Sequence, residues 1–380
     1  MPEPYVLYGS YASYYTAKVR AYLRKKGIPF VERLPSDPMF RNKVRPASGS
    51  HRIPQLLTPS GDVLQDSVTI LDHLEALHPE VPAFPTTPCQ RTLVHLMELL
   101  GSEGLVRLAW MHRWMFDEND HFVKMEFGRS FKPQGSDAEL LKYGQLIADR
   151  MKSYGLPTST QAVRHALDEQ YRALLQLYET HFTHYPYLLG GHPCAADYAV
   201  MGALHAHMGR DPAGLHIMQQ NAPRVFRWVE HMLVPEILSP EFFSVPVAYP
   251  ENDVIPETAT SILNHLADQF ALPFVLGAKA FAQAMQRQRV ERGHELNAEQ
   301  DQPLLPTERV RYEGVEHEHS ANLYAVWLTQ RSQRYVQSLN PELQQKVVAG
   351  FDSPHLQALL DMPVDFPIER VGNRLVIGGS

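Results

Sequence analysis

The chain has 380 residues, which is too long for one ordinary hydrophobic core and predicts two or three domains. Hydrophobic residues make up 44% of the sequence and charged residues 20%, a composition that excludes a largely disordered chain. The formal net charge of −7 provides no overall positive field, so we do not expect nucleic acid as a partner.

The N-terminal segment predicts a strand, a helix and a second strand. Residues 5–8 form a short aromatic and β-branched run that is typical of a buried strand. Apolar residues then recur at helical spacing within residues 16–26, and Gly27 ends that helix. Residues 29–32 have the pattern of the second strand, which gives a βαβ unit.

A hairpin and a helix complete the first domain. Residues 34–52 are rich in Pro, Ser, Gly and basic side chains and predict a loop with at most a short helix. A strand over 53–57, a tight turn and a return strand at 63–64 predict the hairpin. The pair Asp66-Ser67 then has the composition of a helix N-terminus.

Periodicity and proline-rich linkers divide the chain into three domains. We assign residues 1–80 to the first domain, 86–246 to an all-helical second domain, and 257–380 to a mostly helical extension. An insertion-like stretch lies around residues 117–160 of the second domain. The extension ends in two predicted strands, 368–371 and 374–377, joined by a Gly-Asn turn.

Neither a membrane segment nor a metal site is predicted. The N-terminus lacks the pattern of a signal peptide, and no apolar run reaches membrane-spanning length, so we expect a cytoplasmic protein. The cysteines Cys89 and Cys194 stand at no ligand-like spacing. The histidines at 317 and 319 lie two positions apart, so a polar loop or helix start over residues 316–319 is favoured over a metal site.

Two features of the first domain predict a site for an extended peptide with an amino-acid end. A cis bond before Pro54 would turn the backbone of Ile53 outward for pairing, although a trans proline at an edge strand is the simpler alternative. At the helix start, the Ser67 hydroxyl and free N–H groups suit a carboxylate, and Asp66 suits an ammonium. The alternative is that both residues only cap the helix. Their position soon after Pro54 favours the binding site.

Hydroxyl groups crowd the segment before the first helix and predict a place where a thiol is activated. A hydroxyl that donates to sulfur, helped by the positive end of the helix, lowers the pKa of a thiol and exposes a nucleophile near neutral pH. We assign this role to Ser13. The competing hydroxyls are those of Ser10, Tyr11, Tyr14 and Tyr15. A solvated loop with packed tyrosines is the alternative for the whole segment.

Five segments resemble the cytosolic glutathione transferase family. Residues 13–20 (SYYTAKVR) are similar to its active-site turn, residues 53–56 (IPQL) to its cis-proline motif, and residues 66–71 (DSVTIL) to its glutamyl-binding motif. In the helical domain, residues 188–198 (LLGGHPCAADY) resemble the segment whose Asp closes a capping box, and residues 223–229 (PRVFRWV) resemble a helix near the domain end.

The resemblance implies a fold and an activity. The fold is an α/β thioredoxin-like N-terminal domain followed by an all-α glutathione transferase C-terminal domain, here with an extension that the ordinary family lacks. The implied cosubstrate is glutathione, whose activated thiol attacks a small hydrophobic electrophile in cytoplasmic detoxification. A homodimer is usual for the family and is therefore expected.

The same resemblance implies roles for individual residues. Ser13 takes the catalytic position. The residues implied to bind glutathione are Ile53, Pro54, Asp66, Ser67 and Arg52. Arg52 is one of several basic residues in its loop, and an exposed arginine that serves only solubility is an equal alternative. The residues implied to line the electrophile pocket are Tyr11, Tyr14, Trp110 and Trp114. Aromatic residues at helical spacing are more often plain core.

Three departures from the family pattern leave other functions open. Cys194 stands where the family has serine or threonine, a poorer cap that weakens the capping box by up to about 1 kcal/mol. Tyr14 replaces a small residue or proline, and the extension has no counterpart. The alternatives are a non-catalytic binding or regulatory protein with the transferase fold, and a glutathione-dependent dehalogenase or isomerase.

Overall fold

A computed structural model describes residues 3–153, 160–296, 308–312, 315–319 and 322–379 of the chain. A mixed sheet with helices comes first, a helical region follows, and a mostly helical extension comes last. The predicted fold class is therefore confirmed. The domain limits given above stay predictions.

The first region is a four-stranded sheet with helices packed against it. Its elements are β1 (Tyr5–Tyr8), α1 (Tyr14–Lys25), β2 (Phe30–Arg33), α2 (Arg45–Ser48), β3 (Gln55–Leu57), β4 (Val63–Gln65) and α3 (Ser67–Leu77). The strand order is β2-β1-β3-β4, with β2 parallel to β1 and the other neighbours antiparallel. This is the predicted βαβ, loop, ββα order, and it leaves β4 at one edge of the sheet.

Local sequence explains where α1 begins and ends. Ser13 is the N-cap, since its Oγ accepts a hydrogen bond from the Thr16 backbone N–H at 3.3 Å. Gly27 follows the helix with a φ of 64°, in the left-handed region that favours glycine. Leu7 of β1 and Leu56 of β3 are buried in the core that the helix also contributes to.

The second region is helical. Its helices are α4 (Pro88–Glu98), α5 (Val106–Trp114), α6 (Asp120–Phe131), α7 (Asp137–Ser153), α8 (Gln161–His181), α9 (Ala195–Met201), α10 (Pro212–Asn221) and α11 (Pro223–Met232). A π-helical turn, Leu99–Gly104, joins α4 to α5. Such wide turns insert one extra residue and often occur at functional sites.

The described part of the insertion-like stretch forms a helical hairpin, in which α6 packs against α7. Two glycines allow the close approach of these helices. A Cβ atom at position 128 would overlap the backbone of Leu140, and one at position 144 would overlap the backbone of Lys124. Gly128 and Gly144 therefore have a packing role.

The extension combines helices with short strands. Its elements are α12 (Glu257–Gln288), β5 (Glu295–Leu296), β6 (Glu308–Tyr312), β7 (Val315–His319), α13 (Leu323–Ser338), α14 (Pro341–Gly350), α15 (Pro354–Leu360), β8 (Ile368–Val371) and β9 (Arg374–Ile377). The two predicted terminal strands are confirmed as β8 and β9, and β5 pairs with β9. The loop or helix start predicted over 316–319 is wrong, because these residues pair with β6 as part of β7.

Within the described ranges, no helix is long and apolar enough to cross a membrane. The same part of the chain contains no group of three or more His, Cys, Asp or Glu side chains placed to hold a metal ion. The side chains of His317 and His319 lie outside the described residues.

A buried charged cluster joins the three regions. Glu98 of α4 accepts a hydrogen bond from Lys18 of α1 at 3.0 Å and pairs with Arg331 of α13 at 3.3 Å. Arg331 also donates to both carboxylate oxygens of Asp72 in α3, at 2.6 and 3.1 Å. Burial raises the pKa of Glu98, but the charges of Lys18 and Arg331 outweigh burial and hold that pKa well below its usual range.

Asp197 closes the expected capping box at the start of α9. Its carboxylate accepts hydrogen bonds from the backbone N–H of Cys194 at 2.9 Å and of Leu188 at 3.0 Å. The Cys194 thiol donates to the same carboxylate at 3.2 Å. All three residues are buried, so Asp197 ties the preceding loop to the helix inside the core.

We expect Asp197→Ala to lower the free energy of unfolding by about 2–4 kcal/mol, because two buried backbone N–H groups lose their acceptor. Urea denaturation followed by circular dichroism measures the change. Asp62→Ala, in the exposed turn between β3 and β4, is the matched control and should cost less than about 1 kcal/mol. Equal losses in the two variants would contradict the role of the capping box.

Candidate functional site

A cavity of about 690 Å³ lies between the first region and the extension. The first region contributes residues 48–54 and the start of α3 to its lining. The second region contributes Glu103, from the π-helical turn before α5. The extension contributes β5, the start of α13, and the hairpin of β8 and β9. The cavity is therefore built from parts of the chain that are distant in sequence.

Ile53 and Pro54 border this cavity at the start of β3, and the bond between them is cis. The loop before them is held by Gln55, whose buried side-chain amide donates to the backbone oxygens of Ser50 at 2.8 Å and Arg52 at 2.9 Å. The predicted peptide-binding edge thus faces open space.

Asp66 and Ser67 border the same cavity from the start of α3. Asp66 caps the helix, because its Oδ2 accepts hydrogen bonds from Thr69 N at 3.1 Å and Thr69 Oγ1 at 3.2 Å. The Ser67 hydroxyl is buried and has no hydrogen-bond partner within the described part of the chain. An unpartnered hydroxyl at a helix N-terminus suits a bound carboxylate. The start of α3 and the residues before β3 thus border one cavity.

The extension places a guanidinium and a phenol beside Asp66. Arg370 Nη1 lies 3.9 Å from Asp66 Oδ2, and Arg370 Nη2 donates to the backbone and side-chain oxygens of Gln65 at 3.1 and 3.0 Å. Tyr324 of α13 also borders the cavity, and burial together with the charge of Asp66 raises the pKa of Tyr324 well above its usual value. Sequence reasoning missed both residues, since Arg370 is 305 positions from Gln65 and neither belongs to a motif.

Asn373 fastens the hairpin of the extension to the edge of the first sheet. Its side-chain oxygen accepts a hydrogen bond from Gln65 N at 2.9 Å, and its side-chain nitrogen donates to Val63 O at 3.1 Å. One amide side chain thereby occupies two of the backbone groups on the free edge of β4. The Gly-Asn turn was the one sequence signal at this place.

The predicted hydroxyl donors differ in their surroundings. Ser13 is half-buried, and its Oγ accepts a hydrogen bond from Thr16 Oγ1 at 2.9 Å. Ser13 is not among the residues that border the cavity, whereas Tyr15 is. The Tyr15 hydroxyl donates to Glu103 Oε1 at 2.7 Å.

Glu103 is a cavity residue that the sequence analysis missed. Burial and the nearby charge of Asp66 raise the pKa of Glu103 to about 7, although the hydrogen bond from Tyr15 lowers it. A carboxyl group with this pKa can gain or lose a proton near neutral pH. The Gly-Ser-Glu-Gly sequence that interrupts the helical pattern here was the available signal.

Of the remaining predicted residues, Arg52 borders the cavity with an exposed side chain. The four residues predicted to line the electrophile pocket are not among those that border it. Tyr11 is exposed, and Tyr14 is buried with its hydroxyl donating to the backbone of the π-helical turn. Trp110 and Trp114 are buried with residues of α6 and α7.

We expect Asn373→Ala to loosen the hairpin from the first region, because both hydrogen bonds to β4 are lost. Hydrogen exchange of the Gln65 amide should accelerate about 5- to 10-fold, as the loss of about 1 kcal/mol predicts. Arg374→Ala is the control, since its guanidinium pairs with Glu295 inside the extension. Unchanged exchange at Gln65 in the Asn373 variant would contradict the role of Asn373 in holding the hairpin to β4.

Two sequence profiles match the chain. The profile of the glutathione S-transferase N-terminal domain matches residues 7–82, and that of the glutathione S-transferase C-terminal domain matches residues 141–234. The extension lies outside both matches. Among proteins with curated descriptions, none matches the sequence significantly.

Several solved structures are similar to this chain. A glutathione S-transferase from Methylobacterium radiotolerans, in complex with glutathione sulfonate, is 20% identical over 67% of this chain and 100% of its own, with a TM-score of 0.36. A glutathione transferase from Phanerochaete chrysosporium is 15% identical over 63% and 100%, with a TM-score of 0.45. One from Methylobacillus flagellatus, with GSH bound, is 18% identical over 60% and 94%, with a TM-score of 0.35.

Proposed function

The chain belongs to the glutathione transferase family, and we propose that it binds glutathione in the cavity described above and activates its thiol for attack on a hydrophobic electrophile. The observation that carries the proposal is that Ile53 and Ser67, from separate elements, border one cavity. As the family resemblance implies, the proposal includes a cytoplasmic role in detoxification and a homodimer.

Each part of glutathione has a partner of suitable chemistry in this proposal. The extended backbone pairs with Ile53 at the start of β3. The glutamyl carboxylate accepts hydrogen bonds from the Ser67 hydroxyl and the free N–H groups of α3, while the ammonium lies beside Asp66. The glycine carboxylate takes Arg52 as its cation. The buried, unpartnered Ser67 hydroxyl supports this arrangement because it gains an acceptor.

Ser13 is the proposed donor to the sulfur, from a place two residues before Tyr15, which borders the cavity. Both of its side-chain hydrogen bonds, from Thr16 N and Thr16 Oγ1, use the serine oxygen as an acceptor, so the hydroxyl proton is available to a ligand. Its position at the N-terminus of α1 adds the positive end of the helix dipole. Both effects favour a thiolate over a thiol.

We propose that the electrophile binds against the extension. The apolar residues that border the cavity from this side are Leu296, Leu323 and Leu375. The four aromatic residues that the family resemblance implies for this pocket do not border the cavity. A pocket of this kind accepts small apolar molecules without fixing their identity.

A second candidate is a non-catalytic binding or regulatory protein. The proximity of Arg370 to Asp66 favours it, because a guanidinium 3.9 Å from the carboxylate competes with a ligand ammonium for the same negative charge. Glutathione binding separates the two candidates.

We expect Ser67→Ala to weaken glutathione binding about 10-fold, because the glutamyl carboxylate loses one hydrogen bond. Isothermal titration calorimetry measures the dissociation constant. Ser60→Ala, in the exposed turn between β3 and β4, should bind as the wild type does. A folded wild-type chain that gives no heat with glutathione would instead support the non-catalytic candidate.

We expect Ser13→Ala to raise the pKa of the bound thiol by about 1–2 units, since a hydrogen bond to a charged acceptor contributes about 1.5–3 kcal/mol. The ultraviolet absorbance of the bound thiolate, followed against pH, measures this shift. Conjugation of glutathione with chlorodinitrobenzene should slow about 10- to 100-fold at pH 6.5. Ser10→Ala is the control. An unchanged pH dependence in the Ser13 variant would contradict the assignment of Ser13 as the hydrogen-bond donor to the sulfur.

A further inference from the structure

A carboxyl group and a phenol form a hydrogen-bonded pair in the wall of the cavity. The Tyr15 hydroxyl, on the first turn of α1, donates to Glu103 Oε1 at 2.7 Å, and both residues border the cavity. The two side chains come from different regions of the chain, 88 positions apart.

The π-helical turn Leu99–Gly104 presents Glu103 to the cavity. The turn begins directly after Glu98, which is fixed by its buried ion pairs. The Tyr14 hydroxyl donates to the Ser102 backbone oxygen at 2.7 Å, so adjacent tyrosines hold adjacent residues of the turn. The ion pairs of Glu98 and the hydrogen bond to Ser102 therefore hold the turn that carries Glu103.

The extension completes the surroundings of Glu103. Asn322, which caps α13, borders the same cavity and contributes to lowering the pKa of Glu103. The titratable and charged groups that face Glu103 are Tyr14, Tyr15 and Lys18 on α1, Asp66 at the start of α3, and Tyr324 on α13. The charge of Asp66 raises the pKa of Glu103, and the charge of Lys18, which pairs with Glu98, lowers it.

We infer that Glu103 is the proton acceptor for the bound thiol, which it reaches through the Tyr15 hydroxyl; the inference rests on the proposed function. Ser13 and Glu103 then have different tasks. Ser13 donates a hydrogen bond that stabilises negative sulfur, whereas Glu103 removes the proton. The pKa of Glu103, raised by burial to about 7, suits this task because the group is ionised in part at neutral pH and gives the proton up again.

The transfer moves one proton along two hydrogen bonds. The S–H bond of glutathione breaks and its proton bonds to the Tyr15 oxygen, while the Tyr15 O–H proton passes to Glu103 Oε1. The electron pair of the S–H bond stays on sulfur, which then bonds to the electrophilic carbon as the leaving group departs with its own electron pair. Glu103 afterwards returns the proton to water.

The test is the pH profile of kcat/KM for conjugation of glutathione with chlorodinitrobenzene, in the full-length chain. For Glu103→Gln we expect a fall of about 100-fold at pH 7, the usual contribution of a general base. Activity should recover as the pH rises past the pKa of the bound thiol, which Ser13 still holds below the value of about 8.5 for a free thiol, because hydroxide then ionises the thiol without help. Tyr15→Phe should behave in the same way, and the double variant should be no worse than either single variant.

Glu118→Gln is the control, because Glu118 is exposed and is not among the residues that border the cavity. Its profile should follow that of the wild type. A loss of the same size at every pH in the Glu103 variant would mean a structural role, and a gain of activity below pH 7 would mean simple charge repulsion. Either result overturns the inference.

Calorimetry with glutathione separates this inference from the function it rests on. If the wild-type chain does not bind glutathione, both proposals are overturned. If the wild type and the Glu103 variant bind glutathione equally well and have the same pH profile, only the role of Glu103 is overturned. Thermal unfolding of each variant excludes misfolding, and Tyr15→Phe supplies an independent test if the Glu103 variant is unstable.

Discussion

The buried carboxylate of Glu98 is the contact on which the geometry of the rest depends. Its partners are Lys18 from the first region and Arg331 from the extension, so one carboxylate holds all three parts of the chain. A buried charge of this kind is costly if either partner is lost, which fixes the relative positions of the regions. Because the next residue begins the π-helical turn with Glu103, the same contact also sets one wall of the cavity.

The first region and half of the site could be predicted because their signals are local. The strand at residues 5–8, the hairpin and the helix start at Asp66 each depend on side chains within a few positions of one another. The placement of Ile53 beside Ser67 followed from the βαβ, ββα order, since that order brings the start of β3 close to the start of α3. Local patterns are enough when a site uses neighbouring elements.

The other half of the site could not be predicted, for two physical reasons. Arg370 and Tyr324 reach Asp66 through contacts between distant segments, and no periodicity or motif encodes such a contact. Trp110 and Trp114 were placed in the pocket by the family resemblance, although aromatic residues at helical spacing are more often core. Here the α6 and α7 hairpin covers them, and the sequence around 117–160 gave only the length of that insertion.

The two hydrogen bonds between the Asn373 side chain and β4 have a consequence for the behaviour of the protein at high concentration. The free edge of a sheet is a template for strands of other molecules, and exposed edges promote aggregation. In this chain β4 is such an edge, and the side chain of Asn373 occupies the backbone groups of Val63 and Gln65. The hairpin therefore protects the solubility of the chain, and proteolytic removal of the hairpin would create a surface prone to self-association.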